Sequence, residues 1–572
     1  KENFKGYEKD LFSAFIVRNI QLAKEQGQLG FMSPFVWMFI SSYEHLRQKL
    51  IDGSSITTLI QLEYSGFDGA TVPVCTFTLS AHPIKDHIGS YIKLSNFKGH
   101  KNQSPKTLEA IKNKNCDCFY NSKPDDFKKI PGSPIAYWVS NKVRKVFGNS
   151  QGLGSLAKPM IGMRTGNNDQ YIRRWYEVSI KDSNYTAKSA LDGKLSEKKW
   201  FPYQKGGGFR RWYGNLEYVV NWKNDGYEIK ENTLLNYPQL SWDNLGWKIS
   251  NEKFFFNEGI TWTATSSSYF GVRYADKGCL FDVKGSFCIP ENEYLKPILA
   301  LLCTNFTQNI VKIINPTIEI QPRDIAVIPF WKEKLDPNKE KITELVTELI
   351  NTSKYDWETY ETSWNFHINP LINNENENLE GSVLRDKKNL SRIYQNLQER
   401  NQQTIAAMQR LEEENNRLLI DAYDIQEELT LNVPPEQITL TVNPKYRYGT
   451  KLSDEELENR FREDTIKELI SYALGCMMGR YRLDNPGLIY AHSENIDFDK
   501  IYNAPPSDSD AQDKYPENPF IADEDGIIPL TDREWFPDDA TNRLVEFVKV
   551  AWSEETLNEN LHFIADNLKP KA

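Results

Sequence analysis

YEKDLFSAFIVRNIQLAKEQGQLGFMSP (residues 7–34) is the stretch whose reading decides how the chain folds. Leu11, Phe15, Ile16, Ile20, Leu22 and Ala23 recur near the i, i+4 spacing of an amphipathic helix, and Gly27 ends the run. The apolar residues that follow, closing at Pro34, read as a short strand. A second helix is expected from about Tyr43 to Ile51, carrying Leu46, Arg47 and Leu50, with further strands at 56–62 and 72–79. Helix, strand, helix, strand, loop, strand with short connections is an α/β pattern, and it fits the later half of a doubly wound sheet rather than a whole one.

Charge singles out a second stretch. KPMIGMRTGNNDQYIRRWYEVSI (158–180) and KKWFPYQKGGGFRRWYGNLEYVVNW (198–222) lie in a segment, 141–223, with sixteen Lys and Arg against six Asp and Glu, a balance of +10 inside a chain whose net charge is −10. Glycines stand beside arginines and aromatic rings, as they would where a backbone comes close to phosphates and flat side chains meet bases or sugars. Two hairpins with glycine turns and solvated basic faces would give the same composition.

At 572 residues the chain is long enough for roughly three or four domains. Charged residues at 26%, hydrophobic residues at 39% and aromatics at 12% suit a globular protein. No apolar run approaches the roughly 18 residues of a membrane helix, so no membrane is expected as a partner. Seven scattered cysteines, without metal-type spacing, point to a reducing cytoplasm and to no metal; the lone Cys116/Cys118 pair reads as structurally indifferent. The first residue is Lys1, inside a helical pattern, which reads as a fragment.

Further along, a helix is expected at 137–146, strands around 259–262, 271–274 and 279–289, and a helix over 293–307. A helical connector with Tyr355, Trp357, Tyr360, Trp364 and Phe366 follows. Leu390, Leu397, Thr404, Leu411, Leu418 and Ile425 then repeat every seven residues, with Tyr394, Asn401, Met408, Asn415, Ala422 and Leu429 four positions after each. That is a coiled-coil-like seam, expected to pair within its own chain. Gly475 and Gly479, inside an apolar helical pattern, imply close backbone approach.

The first eighty residues resemble the later motifs of the gamma-class amino-methyltransferases that act on adenine in DNA. Asp10-Leu11-Phe12-Ser13-Ala14-Phe15 is similar to the segment where that family packs an aromatic ring on the adenine of S-adenosylmethionine, which implies Phe15 as cofactor-binding. Gly66-Phe67 before the 72–79 strand is similar to the motif that stacks the flipped target base, which implies Phe67. The Asn-Pro-Pro-aromatic motif is absent: 433–436, 443–446 and 503–506 come nearest and none fits. No catalytic residue is therefore assigned in this chain, which is expected to be inactive alone, with the remaining motifs upstream.

Residues 141–335 resemble the target-recognition domains of type I and type IIG restriction-modification systems. The side chains expected to meet double-stranded DNA are Arg164, Asn167, Arg173, Arg174, Trp175, Trp200, Lys205, Gly207, Arg210, Arg211, Trp212 and Arg273. With Asp356-Trp357, Trp364-Asn365-Phe366 and 474–481, the stretch 199–215 resembles the adenine-specific methyltransferases of BREX phage-defence systems. That resemblance implies an S-adenosylmethionine-dependent N6-adenine methyltransferase working beside other BREX proteins. The rival readings are a DNA-binding specificity module without catalysis and a type IIG restriction-methylation enzyme. The expected fold is α+β and multidomain: the C-terminal part of a Rossmann-like methyltransferase domain (1–140), a β-rich target-recognition domain (141–335), a helical spacer (336–440) and a C-terminal helical domain (441–572).

Overall fold

The computed structural model describes residues 4–25, 27–64, 66, 73–266, 268–372, 388–492, 496–505, 520–533 and 535–568. The chain forms two compact units that interleave along the sequence. One gathers Lys1–Pro159, Thr304–Lys339 and Leu418–Thr430; the other gathers Met160–Cys303, Glu340–Arg417 and Leu431–Ala572. The four consecutive domains expected from composition do not coincide with these units, because two later segments return to the first.

In the first unit the early α/β reading holds. Helix α1 (Leu11–Leu22), β1 (Gln28–Pro34), α2 (Glu44–Gly53), β2 (Ser55–Gln61) and β3 (Val74–Ser80) lie within a few residues of their expected bounds. With β4 (Gly89–Lys93) and β5 (Phe119–Ser122), the strands form one sheet in the order β1-β3-β2-β4-β5. β3 is antiparallel to both of its neighbours, so β1 and β2 run the same way, and β4 continues parallel to β2. Trp37, Met38, Leu46, Leu50, Leu59 and Phe77 are buried in one core cluster.

Arg47 is almost fully buried at that core and is satisfied by carbonyls alone. Its Nε and Nη2 donate to Gly132 O at 2.9 and 2.7 Å, and its Nη1 donates to Trp37 O and Ile40 O at 2.9 and 2.8 Å. Burial lowers its pKa to about 10. The helix expected at 137–146 starts later, as Asn141–Asn149, because the Ser140 hydroxyl accepts the Val143 N–H and sets its first turn. Tyr137 instead stacks on Tyr91 and donates its hydroxyl to Gln61 at 3.0 Å. The returning segment is fixed by Tyr423, whose hydroxyl donates to Pro329 O and accepts the Trp331 N–H.

The second unit is built on two small sheets and a set of helices. β6 (Ile172–Arg174), β7 (Trp200–Gln204), β8 (Tyr218–Asn221) and β11 (Leu280–Phe281) form a sheet in the order β11-β7-β8-β6, so β6 is an edge. β9 (Gly259–Thr263) is hydrogen-bonded antiparallel to both β10 (Val272–Ala275) and β12 (Gly285–Pro290). The helix expected at 293–307 breaks: α3 (Leu295–Leu302) ends there, and the Thr304 hydroxyl caps a new helix, α4 (Asn305–Ile314).

Helices α5 (Lys339–Glu358), α6 (Leu390–Ala422), α7 (Asp454–Met477), α8 (Ala540–Ala551) and α9 (Leu557–Leu568) follow. The seven-residue repeat falls on one helix of 33 residues as far as Ala422, and its last positions, Ile425 and Leu429, lie beyond the helix. Its buried line runs through Leu390, Tyr394, Leu397, Met408, Glu412 and Asn415, while Leu411 is only half-buried. Packing against globular neighbours follows the 3.6 period of a straight helix and drifts off a strict 3.5 seam. Asn415 donates to Ala300 O at 3.0 Å rather than to a partner helix. Of the two glycines, Gly475 packs against Tyr481, whose ring would lie 2.5 Å from an added Cβ; Gly479 lies beyond α7 at φ 74°, where a left-handed turn requires glycine. Among the described residues, no single helix is long and apolar enough to cross a membrane.

Candidate nucleic-acid interface

The edge strand β6 carries Arg173 and Arg174 opposite Val219 and Tyr218. Arg174 Nη1 meets Glu217 Oε2 at 2.5 Å, and its guanidinium sits 5.4 Å from the Tyr218 ring centre. Arg173 donates to the carbonyls of Asp169 and Ile172 and lies 5.9 Å from the Trp200 ring. Arg164 donates to Trp247 O at 2.9 Å with its guanidinium 5.0 Å over the Trp247 ring, which is 54% exposed. The Lys248 ammonium lies 3.8 Å from the Tyr237 ring and 4.1 Å from that of Trp247. Exposed Asn167 caps the short helix Asn168–Tyr171 through the Gln170 N–H. Half-buried Lys205 reaches Asp282 at 3.4 Å, and the same carboxylate accepts the Tyr203 hydroxyl. Gly207 is exposed at φ 138°.

These contacts leave Arg164 against the exposed Trp247 ring and Arg174 against the half-buried Tyr218 ring, a pairing of cation and ring that can meet phosphates and bases. Exposed Trp247 and half-buried Tyr237 are additions that the charge pattern does not single out, with the buried Lys248 packed between their rings. The signal for them is the run SWDNLGWK (241–248), two tryptophans around a glycine beside a lysine, just outside the basic segment.

Six of the expected DNA contacts are taken up inside the protein instead, and that assignment is corrected here. Trp175, Trp200, Arg210, Arg211, Trp212 and Arg273 are all buried, at 9% exposure or less. Trp175 Nε1 donates to Thr362 O, and the Trp175 and Trp200 rings form a small core with Val219. Arg210 Nη2 meets Asp356 Oδ2 at 2.6 Å, and Arg210 also donates to Tyr213 O and Thr441 Oγ1. Arg211 Nη1 meets Glu412 Oε2 at 2.5 Å while Trp212 Nε1 donates to the other oxygen at 3.0 Å. Arg273 is fully buried; among the described residues its side chain makes two 3.5 Å contacts, to Arg210 O and Thr263 Oγ1, and its Nε has no partner, and burial lowers its pKa to about 10. Arg210 and Arg211, buried and paired within their own chain, have nothing to offer a ligand outside.

Of the two expected ring-stacking residues, the structure describes Phe15. Phe15 lies on α1 and is 60% exposed, in line with Leu11 and Leu22, while Ser13, Ile16 and Val17 face inward. Phe67 lies outside the described residues.

Comparison with known proteins shows what the chain is similar to. Residues 1–67 match the Eco57I restriction-modification methylase family. The particular relatives are closer: the chain is 36% identical over 581 residues to the "Adenine-specific methyltransferase BrxX" of Escherichia coli O9:H4 (strain HS), covering 100% of this chain and 44% of the relative. It is 34% identical over 566 residues to the "Adenine-specific methyltransferase PglX" of Lacticaseibacillus casei (strain Zhang), covering 98% of this chain and 43% of the relative. The similarity to these two relatives runs along essentially the whole of this chain, which spans less than half of theirs. Among solved structures it is similar to the type IIL restriction-modification enzyme MmeI in complex with DNA, at 11% identity over 76% of this chain and 51% of that one, TM-score 0.41. It is also similar to a nuclease-deletion mutant of the type ISP enzyme LlaGI, at 12% identity over 60% of this chain and 31% of that one, TM-score 0.35.

Proposed function

We propose that this chain is the DNA-reading portion, with the end of the catalytic α/β domain, of a site-specific N6-adenine DNA methyltransferase of the BREX type, acting in the cytoplasm beside other BREX proteins. The observation that carries the reading is the unbroken similarity to proteins named adenine-specific methyltransferase over 98–100% of the chain. The cation-on-ring pairs Arg164/Trp247 and Arg174/Tyr218 support a DNA-facing role for the second unit. In that role Arg164, Arg173, Arg174 and Lys205 would position the duplex through its phosphates, with Asn167 and Gly207 at the same surface.

An adenine amine inside a duplex is out of reach of any methyl donor, so the base has to leave the stack and be held by a ring. Phe67 would supply that ring. Phe15 presents an aromatic face to solvent on α1, which fits a stacking surface for the adenine of S-adenosylmethionine. When bound, that cofactor supplies the methyl group; the chain's own residues orient the two rings and hold the DNA.

The experiment is made in the protein extended to its relatives' full length. Phe67→Ala is expected to lower methylation of site-bearing DNA about 5- to 150-fold, since base stacking contributes roughly 1–3 kcal/mol, with little change in DNA affinity. Unchanged methylation retires the stacking role, and absence of any methylation by the unsubstituted protein overturns the reading.

A further inference from the structure

A cavity of about 320 Å³ opens in the second unit between α5, α6 and α7. No wall comes from the basic segment 158–222, so it is separate from the proposed DNA surface. The helical repeat explains its shape: α6 presents Leu397, Arg400, Asn401 and Thr404 at i, i+3, i+4 and i+7, and α7 presents Phe461, Thr465 and Glu468 at i, i+4 and i+7. Two rows of side chains on facing helices leave a slot, and Tyr355 and Tyr360 close it with aromatic faces.

The charges around the slot are unequally spent. Asp356 is committed to Arg210 at 2.6 Å and to the N–H groups of Thr441 and Val442 at 2.8 and 3.0 Å. Glu468 is paired with Arg447 at 2.7 Å. The Thr404 and Thr465 hydroxyls turn back to carbonyls of their own helices. Among the described residues, Arg400 makes no ion pair, and the Asn401 amide has no hydrogen bond. Arg447, 5.8 and 5.9 Å from the Tyr360 and Phe461 rings, has a buried Nη1 with no partner. The walls therefore offer three ring faces, one uncompensated cation and one free amide.

The complement of that set is a flat aromatic ring bearing an anionic group. Small-molecule pockets span about 300–1,000 Å³, and this one is at the lower end, room for a single ring system with one phosphate rather than a dinucleotide. We infer that the cavity binds a nucleoside monophosphate, with the base among Tyr355, Tyr360 and Phe461 and the phosphate at Arg400. The free Asn401 amide, which both donates and accepts, is placed to read the ring edge or the sugar.

Isothermal titration of the purified chain with adenosine 5′-monophosphate, adenosine and inorganic phosphate tests this. Saturable binding of the monophosphate is expected, tighter than adenosine, with no measurable binding of phosphate alone. Arg400 is exposed, so Arg400→Ala should fold normally; it is expected to weaken the monophosphate at least about tenfold, bring it down to adenosine, and leave duplex DNA affinity unchanged. No saturable heat up to about 5 mM monophosphate, or equal binding by wild type and Arg400→Ala, overturns the assignment. A loss of DNA affinity in Arg400→Ala also overturns it, because the arginine would then belong to a nucleic-acid path.

Discussion

Arg-Arg-Trp-Tyr occurs twice in this chain, at 173–176 and at 210–213, and the two copies have opposite fates. The first is on an edge strand, where Arg174 pairs with Glu217 at 40% and 29% side-chain exposure. The second folds back between β7 and β8, with Trp212 at φ 67° and Gly214 at φ 117°, where an added Cβ would sit 2.5 Å from Arg210 Nε. Its arginines meet Asp356 and Glu412 with both partners at 3% exposure or less. Identical local chemistry is sorted by acids supplied from 146 and 201 residues away. Basic aromatic composition marks a candidate surface only where no distant carboxylate comes in to cover it.

The largest expected effect comes from breaking the second copy. Arg211→Ala leaves Glu412 buried with only the Trp212 N–H, and removing one member of a buried pair costs about 3–5 kcal/mol. Urea unfolding should show a lower midpoint at unchanged slope, with Glu412→Ala matching it and the double substitution costing less than the two singles together. A cost under about 1 kcal/mol would mean the pair is solvated, and the contrast between the two copies would collapse.

Local regularities are legible in the sequence. The apolar spacing of 7–34 specifies α1 and β1, and Leu46, Leu50, Leu59 and Phe77 go to the core because period and burial agree. The break at Thr304 is not legible that way, because a capping hydroxyl outweighs a continuous apolar run. The slip of the α6 seam from Leu411 to Glu412 is hidden for a related reason: the packing partners of α6 lie in other segments. The candidate interface is half legible. Arg164 and Arg174 keep solvent-accessible side chains, whereas Arg210, Arg211 and Arg273 read identically in sequence and are core residues by virtue of neighbours met only in three dimensions. Trp247 escapes the charge pattern because it lies just past the charge-rich window.

Lys93, in the first unit, is an intermediate case that sharpens the contrast: a cation with a ring and no bridging acid. Its ammonium lies 3.8 Å from the Trp138 ring. Burial, with Lys312 nearby, lowers its pKa to about 8. Because the folded value lies below the unfolded one, the folded protein binds fewer protons between about pH 8 and 10.5, and stability rises with pH across that window. At pH 7 the charged form is held at a cost, so Lys93→Met is expected to stabilise by about 1–2 kcal/mol, discounting for partial solvation and for the cation–ring attraction that methionine cannot supply. The gain should shrink towards pH 10.5 in thermal melts; a pH-independent difference would assign it to packing rather than charge.

The smallest stability effect, and the most informative about function, is expected for the first copy. Exposed ion pairs contribute about 0–1 kcal/mol, so Arg174→Ala should leave the unfolding midpoint nearly unchanged, and so should Arg164→Ala, which removes a solvent-accessible hydrogen bond and cation–ring contact. If these side chains face phosphates, each substitution should weaken duplex DNA binding and lower the slope of log affinity against log salt by about 0.9 for each phosphate no longer neutralised. Arg210→Ala, by contrast, should lower stability first, and any weakening of DNA binding should track the unfolded fraction. The two outcomes separate a side chain that meets DNA from one that only holds the surface in place. Should Arg164→Ala and Arg174→Ala both leave the salt slope unaltered, the cation-on-ring pairs would be solvated surface features, and the DNA-facing side of the second unit would have to be sought away from β6.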